Sequence, residues 1–321
     1  MPSCSRIKAF MLKREFGIFV LLIVLCAIVA ALNPRFLGAA NLQNMGRLIG
    51  MFGIFGIGIG LVIITGGIDL SVGSLIALLG IQLAILLSEW HWAWPKVVLA
   101  VMAVSALLGW SHGLLITRLK LQPFIVTLCG LLFYRGMARF IAKDETKGFG
   151  GGQGFETLQN LATGKFLGVP MPLILLLIIA AIMWVVLHRS VYGRHLFAVG
   201  RNEEAARYSG INTRWIICST YILSGVFTGI AAILIAFYTN SISPSSHGNF
   251  YELYGIAAAV LGGCSLVGGE GSIFGIVIGT ALLQVLQNLV NLLGIPSSLN
   301  FAVMGAVILI GVIADRLVKT R

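Results

Sequence analysis

The chain has 321 residues, of which 58% are hydrophobic and only 10% are charged, and its mean hydropathy is +0.98. A soluble globular protein carries roughly 25% charged residues, so this composition excludes a water-soluble fold. It predicts an all-α polytopic membrane protein, and the length suffices for about eight to ten spans of ~20 residues each. Because almost nothing remains for a soluble domain, we expect a single transmembrane domain over residues 1–321.

The net charge of +11 is explained by membrane topology rather than by nucleic-acid binding. Lys and Arg concentrate in the cytoplasmic loops of membrane proteins. Alternating the predicted spans across the bilayer places 14 of the 22 Lys and Arg on one side, in segments 1–15, 118–122, 188–214 and 315–321. This bias predicts that both termini are cytoplasmic.

The apolar runs, taken in chain order, predict the spans. The first run ends at Asn33-Pro34, where proline stops a helix; it looks too long for the core of a cleaved signal peptide, the rival interpretation. The second carries six glycines that would form one small-residue face for close helix contact. A long polar loop is expected at 143–169. The predicted apolar runs are 16–32, 46–65, 72–87, 97–117, 123–142, 171–187, 215–237, 253–267, 273–293 and 299–313.

Two glycine-rich breaks, at 66–74 and 262–271, interrupt these runs. Neither carries the basic residues that mark the other inside loops, which indicates that the breaks are sunk into the protein, where irregular backbone must be buried or line a cavity. Paired glycine-interrupted runs are the best sequence pointer to a transport pathway. The candidate pathway residues are Gly66, Gly67, Asp69, Ser71, Ser74, Gly262, Gly263, Ser265 and Glu270.

Asp69 is the strongest candidate for a functional residue, because an acid within a membrane segment predicts a function. The structural alternative is an N-cap for a helix starting near Leu70, and we favour the cap over direct substrate contact, although the two are compatible. Ser71 and Ser74 are expected to satisfy local backbone groups. Glu270 is expected to lie in a turn.

Three further charged positions lie at or inside the spans. Tyr251 and Glu252 stand where an outer loop re-enters the membrane, and Glu252 would be an interfacial cap there. Arg135 and Arg139 are four residues apart and share a helix face. Structural pairing is the expected role of both arginines.

The most polar segment, 188–214, contains the signals of a short capped helix. Asn202 is a good N-cap, Glu203 and Glu204 fall in the first turn, and Gly210 can close the helix. Beside the interpretation as a plain loop helix stands a functional one, a docking helix for a soluble partner. The candidate docking residues are Asn202, Glu203, Glu204, Ala205, Ala206, Arg207, Ser209 and Gly210.

Motifs of enzymes and nucleotide-binding proteins are missing from the sequence. It contains no G-x-x-x-x-G-K-[ST], no H-E-x-x-H and no G-x-S-x-G, and its histidines are scattered. The cysteines indicate neither a disulfide framework nor a metal site; small buried hydrophobic positions are the expected role. They are Cys4, Cys26, Cys129, Cys218 and Cys264. No catalytic, metal-binding or cofactor-binding role is therefore predicted.

Three stretches resemble the ribose-type sugar permeases of bacterial ABC transporters, which belong to a superfamily with the branched-chain amino acid permeases. They are Gly67-Ile68-Asp69-Leu70-Ser71-Val72-Gly73-Ser74, the loop from Gly193-Arg194 to Gly210-Ile211-Asn212, and the stretch from Tyr251-Glu252-Leu253 to Gly268-Gly269 and Gly271. Asn288, Asn291 and Leu292-Leu293-Gly294 continue the match. Tyr254 departs from the pattern, because such permeases commonly carry an acid there.

The resemblance implies a type II ABC importer-like fold and an inner-membrane permease for a monosaccharide. Two permease subunits, identical or different, would form the pathway. Cytoplasmic ATPases would dock on the helix from Glu203 to Ser209, and a periplasmic sugar-binding protein would act at the outer face, near Tyr251 and Glu252. ATP hydrolysis would take place on a partner chain, so this chain would not be an enzyme.

Other functions stay open at this point. A permease for another small polar solute, such as a nucleoside or an amino acid, would share the architecture. A stand-alone secondary transporter or channel would need coupling carboxylates or a polar filter within the spans, and only Asp69 qualifies clearly. A membrane-embedded enzyme would need clustered histidines or acids, which the sequence does not show.

Overall fold

The structure, a computed structural model, describes residues 4–150 and 154–296 and, beyond them, positions 299, 302, 305, 306 and 309; side chains are described from residue 17 onward. The predicted span 299–313 lies largely outside the described residues, and the basic tail after it lies wholly outside them. So do the loop glycines at 151 and 152.

The described chain is built from helices joined by short connections. The helices are α1 (Cys4–Leu32), α2 (Ala39–Ile64), α3 (Val72–Ala84), α4 (Trp94–Arg118), α5 (Pro123–Ala142), α6 (Glu156–Thr163), α7 (Met171–Arg189), α8 (Val191–Arg201), α9 (Glu203–Tyr208), α10 (Thr213–Thr239), α11 (Tyr251–Leu261) and α12 (Ile273–Leu292). A 3₁₀ turn (Pro34–Leu37) precedes α2, and α3 continues into a π-helical turn (Ile85–Glu89). Two-residue strands pair antiparallel, β1 (Lys147–Gly148) with β4 (Ser241–Ile242) and β2 (Lys165–Phe166) with β3 (Val169–Pro170).

Within the described residues, 7 helices are long and apolar enough to cross a membrane: α2, α3 with its π-helical turn, α4, α5, α7, α10 and α12. The all-α polytopic membrane fold is thereby confirmed. Two shorter apolar helices accompany them, the Gly17–Leu32 part of α1 and α11. The run 253–267 is not a full span, because its helix ends at Leu261 after 11 residues. At 1.5 Å per residue it is about 16 Å long, roughly half of the hydrocarbon core.

α2 is the central helix, and α7, α10, α11 and α12 pack around it. Its glycines allow these approaches: Gly50 lies against the backbone of Pro172 in α7, whereas Gly58 lies against Ser224 in α10. Gly60 lies against α12. The predicted close helix contacts at these glycines are confirmed, but the glycines lie on several faces of α2 rather than on one. A helix surrounded on all sides needs small residues on several faces.

The loop at 143–169 is largely exposed, as predicted, but it is anchored at two points. It contains α6 and the short strands, and two of its aromatic residues, Phe149 and Phe155, are buried. The ring of Phe149 stacks on Phe237 of α10 with centroids 4.4 Å apart, and Phe155 packs beside them. This aromatic cluster anchors the loop to the end of α10.

Amide side chains join the ends of α2 and α12 on the same side of the bundle. Asn41 and Asn288 exchange two hydrogen bonds, of 3.1 and 2.7 Å. Asn33 donates to the carbonyl of Leu292 at 3.1 Å. These bonds fix the register of the two helices where hydrophobic contacts alone would let them slide.

We expect Gly50→Ala to destabilise the bundle, because an added Cβ would lie 2.6 Å from the amide nitrogen of Leu173 and neither backbone can give way. Overpacking of this kind costs about 1–3 kcal/mol, which thermal unfolding of the purified protein in detergent would show as a lower Tm. Gly136→Ala in α5 is the matched control, since a Cβ there meets nothing within 4 Å. Equal Tm values for the two variants would contradict the packing described.

Candidate functional site

The first break turns the chain sharply at the end of α2. Gly66 adopts φ +79°, a left-handed conformation that favours glycine. The amides of Gly66 and Gly67 donate back to the carbonyls of Ile63 and Val62, at 2.8 and 3.0 Å. A Cβ on Gly67 would lie 2.6 Å from the hydroxyl of Tyr221, so the absence of a side chain lets the break approach α10.

The next carbonyl of the break, that of Ile68, faces two neighbouring helices. Tyr221 of α10 donates its hydroxyl to this carbonyl at 3.2 Å. The hydroxyl of Thr127 in α5 lies 3.3 Å from the same oxygen, and its shorter bond, of 2.9 Å, is to Pro123 in its own helix. A side-chain hydroxyl therefore replaces a helical bond that the glycines interrupt. This is the arrangement that irregular backbone requires inside a membrane protein.

Asp69 follows and is buried, with 4% exposure. Its Oδ1 accepts hydrogen bonds from the amide and the hydroxyl of Ser71, at 3.0 and 2.7 Å, and its Oδ2 accepts from the hydroxyl of Ser224 at 2.8 Å. Ser224 lies near the middle of α10, so the carboxylate is deep in the bundle. None of the ion pairs among the described residues involves Asp69; hydrogen-bond donors stabilise its charge instead.

The prediction of Asp69 as an N-cap is wrong by two residues. α3 begins at Val72 with Ser71 as its N-cap, and Asp69 forms a side-chain turn before it. Ser74 donates to the carbonyl of Ser71 at 2.8 Å and so satisfies local backbone, as predicted. The hydroxyl of Ser71, in contrast, donates to Asp69 and not to a backbone carbonyl.

Glu252 completes the cap of α3 from a different helix. Its carboxylate accepts a hydrogen bond from the amide of Gly73, which lies in the first turn of α3. Glu252 is only 6% exposed, so its carboxylate is buried against α3; its place near the outer face of the membrane stays a prediction. Tyr251 also faces inward, with its ring 4.7 Å from that of Phe52. A negative charge at a helix N-terminus is stabilising.

Sequence reasoning missed the polar shell around Asp69. His112 Nε2 and the hydroxyl of Tyr134 are 2.8 Å apart, and Gly130 separates this pair from Ser71. The detectable signal lies in α10, where Thr220, Ser224 and Thr228 recur every four residues within an apolar helix. That spacing places the hydroxyls on one helix face.

The second break packs directly on the first. The amide of Gly269 donates to the carbonyl of Ile64, the last residue of α2, at 2.8 Å. A Cβ on Gly268 would lie 2.9 Å from the nitrogen of Gly66. The two glycine-rich breaks therefore touch each other through backbone alone.

A tight turn closes the second break. The amide of Ser265 donates to the carbonyl of Glu270 at 3.1 Å, while the side chain of Glu270 is exposed, in agreement with the predicted turn. Gly262 and Gly263 end α11, and a Cβ on Gly262 would lie 2.8 Å from the nitrogen of Ile276. The end of α11 is thus held against α12.

Gly200, near the end of α8, contacts the end of α2, where the first break begins, and the second break. A Cβ on Gly200 would collide with the carbonyl of Ile64 and lie 2.5 Å from the nitrogen of Gly269. Asn202 comes two residues later, and its Oδ1 accepts from the amide of Ala205 at 2.9 Å. The predicted N-cap of α9 is confirmed, and so is the closing turn at Gly210, with φ +85°.

The side chains of α9 divide into inward and outward groups. Glu203 accepts from the hydroxyl of Thr213 at 3.1 Å, and Ala206 is buried, so both hold α9 to the bundle. Glu204 and Arg207 point outward, with side-chain exposures of 80% and 54%. The exposed residues of α9 and its flanks are Asn202, Glu203, Glu204, Ala205, Arg207, Tyr208, Ser209 and Gly210.

The two arginines of α5 have structural partners, as predicted. Arg135 donates to the carbonyls of Pro244 and His247, at 3.0 and 2.8 Å, and so holds the loop that leads into α11. Arg139 pairs with Asp144 at 2.6 Å. This hydrogen bond lowers the pKa of the exposed Asp144 carboxyl.

Comparison with known proteins shows to which protein family the chain belongs. Residues 41–312 match the family described as "Branched-chain amino acid transport system / permease component". The chain belongs to this family. The ribose import permease protein RbsC of Bacillus subtilis (strain 168) is 38% identical over 94% of this chain and 93% of its own length, and RbsC of Escherichia coli K12 is 37% identical over 96% and 95%. The D-allose transport system permease protein AlsC of E. coli K12 is 32% identical over 95% and 92%.

These findings confirm the resemblance to the ribose-type sugar permeases. They identify the chain as a multi-pass transport component rather than an enzyme. No solved structure matches the chain.

We expect Asp69→Ala to lower the stability of the protein by about 1–3 kcal/mol, because buried donors on Ser71 and Ser224 lose their acceptor. Asp69→Asn should cost less, since one amide oxygen still accepts from Ser71. Thermal unfolding in detergent measures both, with the exposed Asp144→Asn as control. Normal stability but lost transport in Asp69→Asn would show that the charge itself has a role beyond holding the break.

Proposed function

We propose that this chain is the permease subunit of an ATP-driven importer for a monosaccharide, located in the bacterial inner membrane with both termini in the cytoplasm. Its residues 1–321 would form one transmembrane domain. The names of its relatives over nearly the whole chain support the solute class. The contact of Gly200 with the end of α2 and with the second break is the structural observation that carries the coupling mechanism.

In this mechanism, a cytoplasmic ATPase docks on α9. A push on α9 is transmitted through Arg201 to Gly200, and from there to Ile64 and Gly269 by backbone contacts that cannot compress. Both discontinuous helices would then move together. Differential contacts of the ATPase with two arrangements would shift the population between inward-open and outward-open states.

The remaining partners follow from the same proposal. A second permease subunit, identical or different, would complete the pathway between the two copies, and the breaks at 66–74 and 262–271 would border it. A periplasmic sugar-binding protein would deliver the solute at the opposite end of the bundle, where α6 and the short strands lie. Tyr251 and Glu252 would lie below that surface.

Uptake of labelled sugars tests the function directly. A strain lacking its own ribose importer would express this chain together with the ATPase and the binding protein of the same gene neighbourhood. ATP-dependent uptake of D-ribose or D-allose is expected. Uptake of a nucleoside or a branched-chain amino acid but of no sugar would overturn the solute class, and uptake without the ATPase would indicate a secondary transporter.

Glu204→Lys should abolish or strongly weaken ATPase recruitment, because it reverses the charge of the most exposed acid on α9. Glu203 is a poorer test site, since its replacement also breaks the bond to Thr213. Co-purification of the ATPase with the permease measures recruitment. Glu145→Lys, an exposed glutamate with 67% side-chain exposure, is the matched control. Full recruitment and transport by Glu204→Lys would contradict docking through this residue.

Gly200→Ala is expected to separate docking from transport. The added Cβ collides with backbone at the end of α2 and in the second break, whereas α9 itself is unchanged. The ATPase should therefore still co-purify, while sugar uptake falls about tenfold or more. Gly136→Ala, with open space at its Cβ, controls for the substitution itself. Unchanged uptake at normal membrane levels would show that this contact does not transmit the motion.

A further inference from the structure

α12 carries uncharged polar side chains at helical spacing. Gln284, Gln287, Asn288 and Asn291 recur at intervals of three and four residues, so they lie on one side of the helix; we call them the amide stripe. Thr280 extends it by one turn. No charged residue occurs in α12. The stripe runs from the middle of the helix to its last turn.

The outer half of the stripe has an evident structural role. Asn288 pairs with Asn41, and Asn291 is exposed. The inner end is different. Gln284 is 2% exposed, yet its Oε1 has no hydrogen-bond partner among the described residues. A buried unpaired acceptor costs about 1–3 kcal/mol, so its retention needs an explanation.

Gln284 lines a narrow cleft between α2, α11 and α12. Its other walls are Phe52, Tyr254, Gly255, Ala258, Thr280 and Leu283. Thr280 cannot satisfy Gln284, because its hydroxyl donates to the carbonyl of Ile276 at 2.9 Å. The side chains close the cleft in this conformation, so a solute would enter only when α11 moves away from α12.

Aromatic rings form one wall of the cleft. The rings of Phe52 and Tyr254 meet edge to face with centroids 5.7 Å apart, and Tyr251 packs beside them. Binding sites for small molecules combine such apolar walls with a few placed polar groups. The C–H face of a sugar ring can lie on an aromatic ring while its hydroxyls reach an amide.

Charge also selects the class of ligand. No residue that lines the cleft is charged, and the nearby acids are engaged elsewhere: Asp69 bonds Ser224, and Glu252 bonds Gly73. An ion would lose its hydration without gaining a counter-charge here. A neutral solute rich in hydroxyls would lose much less.

We propose that Gln284, with Phe52 and Tyr254, forms a transient subsite for a hydroxyl of the neutral solute, reached along the amide stripe. The proposal rests on the proposed function and adds where the permease itself contacts its cargo. Gln284 accepts a hydrogen bond from the solute, and the two rings cover its apolar face.

The test compares D-ribose with its 2-deoxy and 3-deoxy analogues as uptake probes, in wild type and in Gln284→Leu. Selection by the binding protein is the same in both strains, so it cancels when uptake ratios are compared. If Gln284 binds one of these hydroxyls, the ribose-to-deoxy uptake ratio should fall about three- to tenfold for that analogue alone, the equivalent of one hydrogen bond.

Tyr254→Phe removes only one hydroxyl and provides a second variant should Gln284→Leu fail to reach the membrane. It should change the same ratios if the tyrosine hydroxyl contributes, and Phe52→Leu should lower ribose uptake. Gln82→Leu in α3 is the matched control and should leave the ratios unchanged. Wild-type ribose uptake with unaltered ratios in all three cleft variants overturns the subsite alone. Absence of any sugar uptake in wild type overturns the proposed function itself.

Discussion

Inside a membrane, a broken helix can persist only if its freed backbone groups find partners within the protein. The first break meets this constraint through Tyr221, which donates to the carbonyl of Ile68, while the hydroxyl of Thr127 lies close to the same oxygen. Asp69 and Glu252 then supply acceptors around the start of α3. The position of α3, α5, α10 and α11 around this point depends on those contacts, because each helix contributes at least one of the contacting groups.

Glycine residues allow the two breaks to lie in direct contact with each other and with α8. Gly200, Gly268 and Gly269 bring two backbone segments, the end of α8 and the second break, into direct contact with the end of α2. Flexible side chains could absorb a small displacement, whereas packed backbone transmits it. The close packing that stabilises the breaks would therefore also let a partner bound to α8 and α9 move both breaks, as proposed above.

Charged and uncharged polar groups have different tasks in this bundle. The buried acids Asp69 and Glu252 accept hydrogen bonds from backbone and hydroxyl donors, and Arg135 donates to loop carbonyls. Among the amides of α12, Asn288 pairs with Asn41, whereas Gln284 has an unpaired oxygen. In the proposed subsite, this uncharged acceptor would contact a neutral solute.

Composition and periodicity were sufficient to predict the membrane fold, most spans and the capped helix α9, because burial in lipid and local capping are set by neighbouring residues in the chain. The sequence by itself also located both glycine breaks. It misplaced the cap of α3, it did not predict the contact of Glu252 with Gly73, and it could not pair Asp69 with Ser224, 155 residues away. Only the tertiary structure decided those partners, because hydrogen bonds between helices depend on how the helices pack and leave no local pattern in the chain.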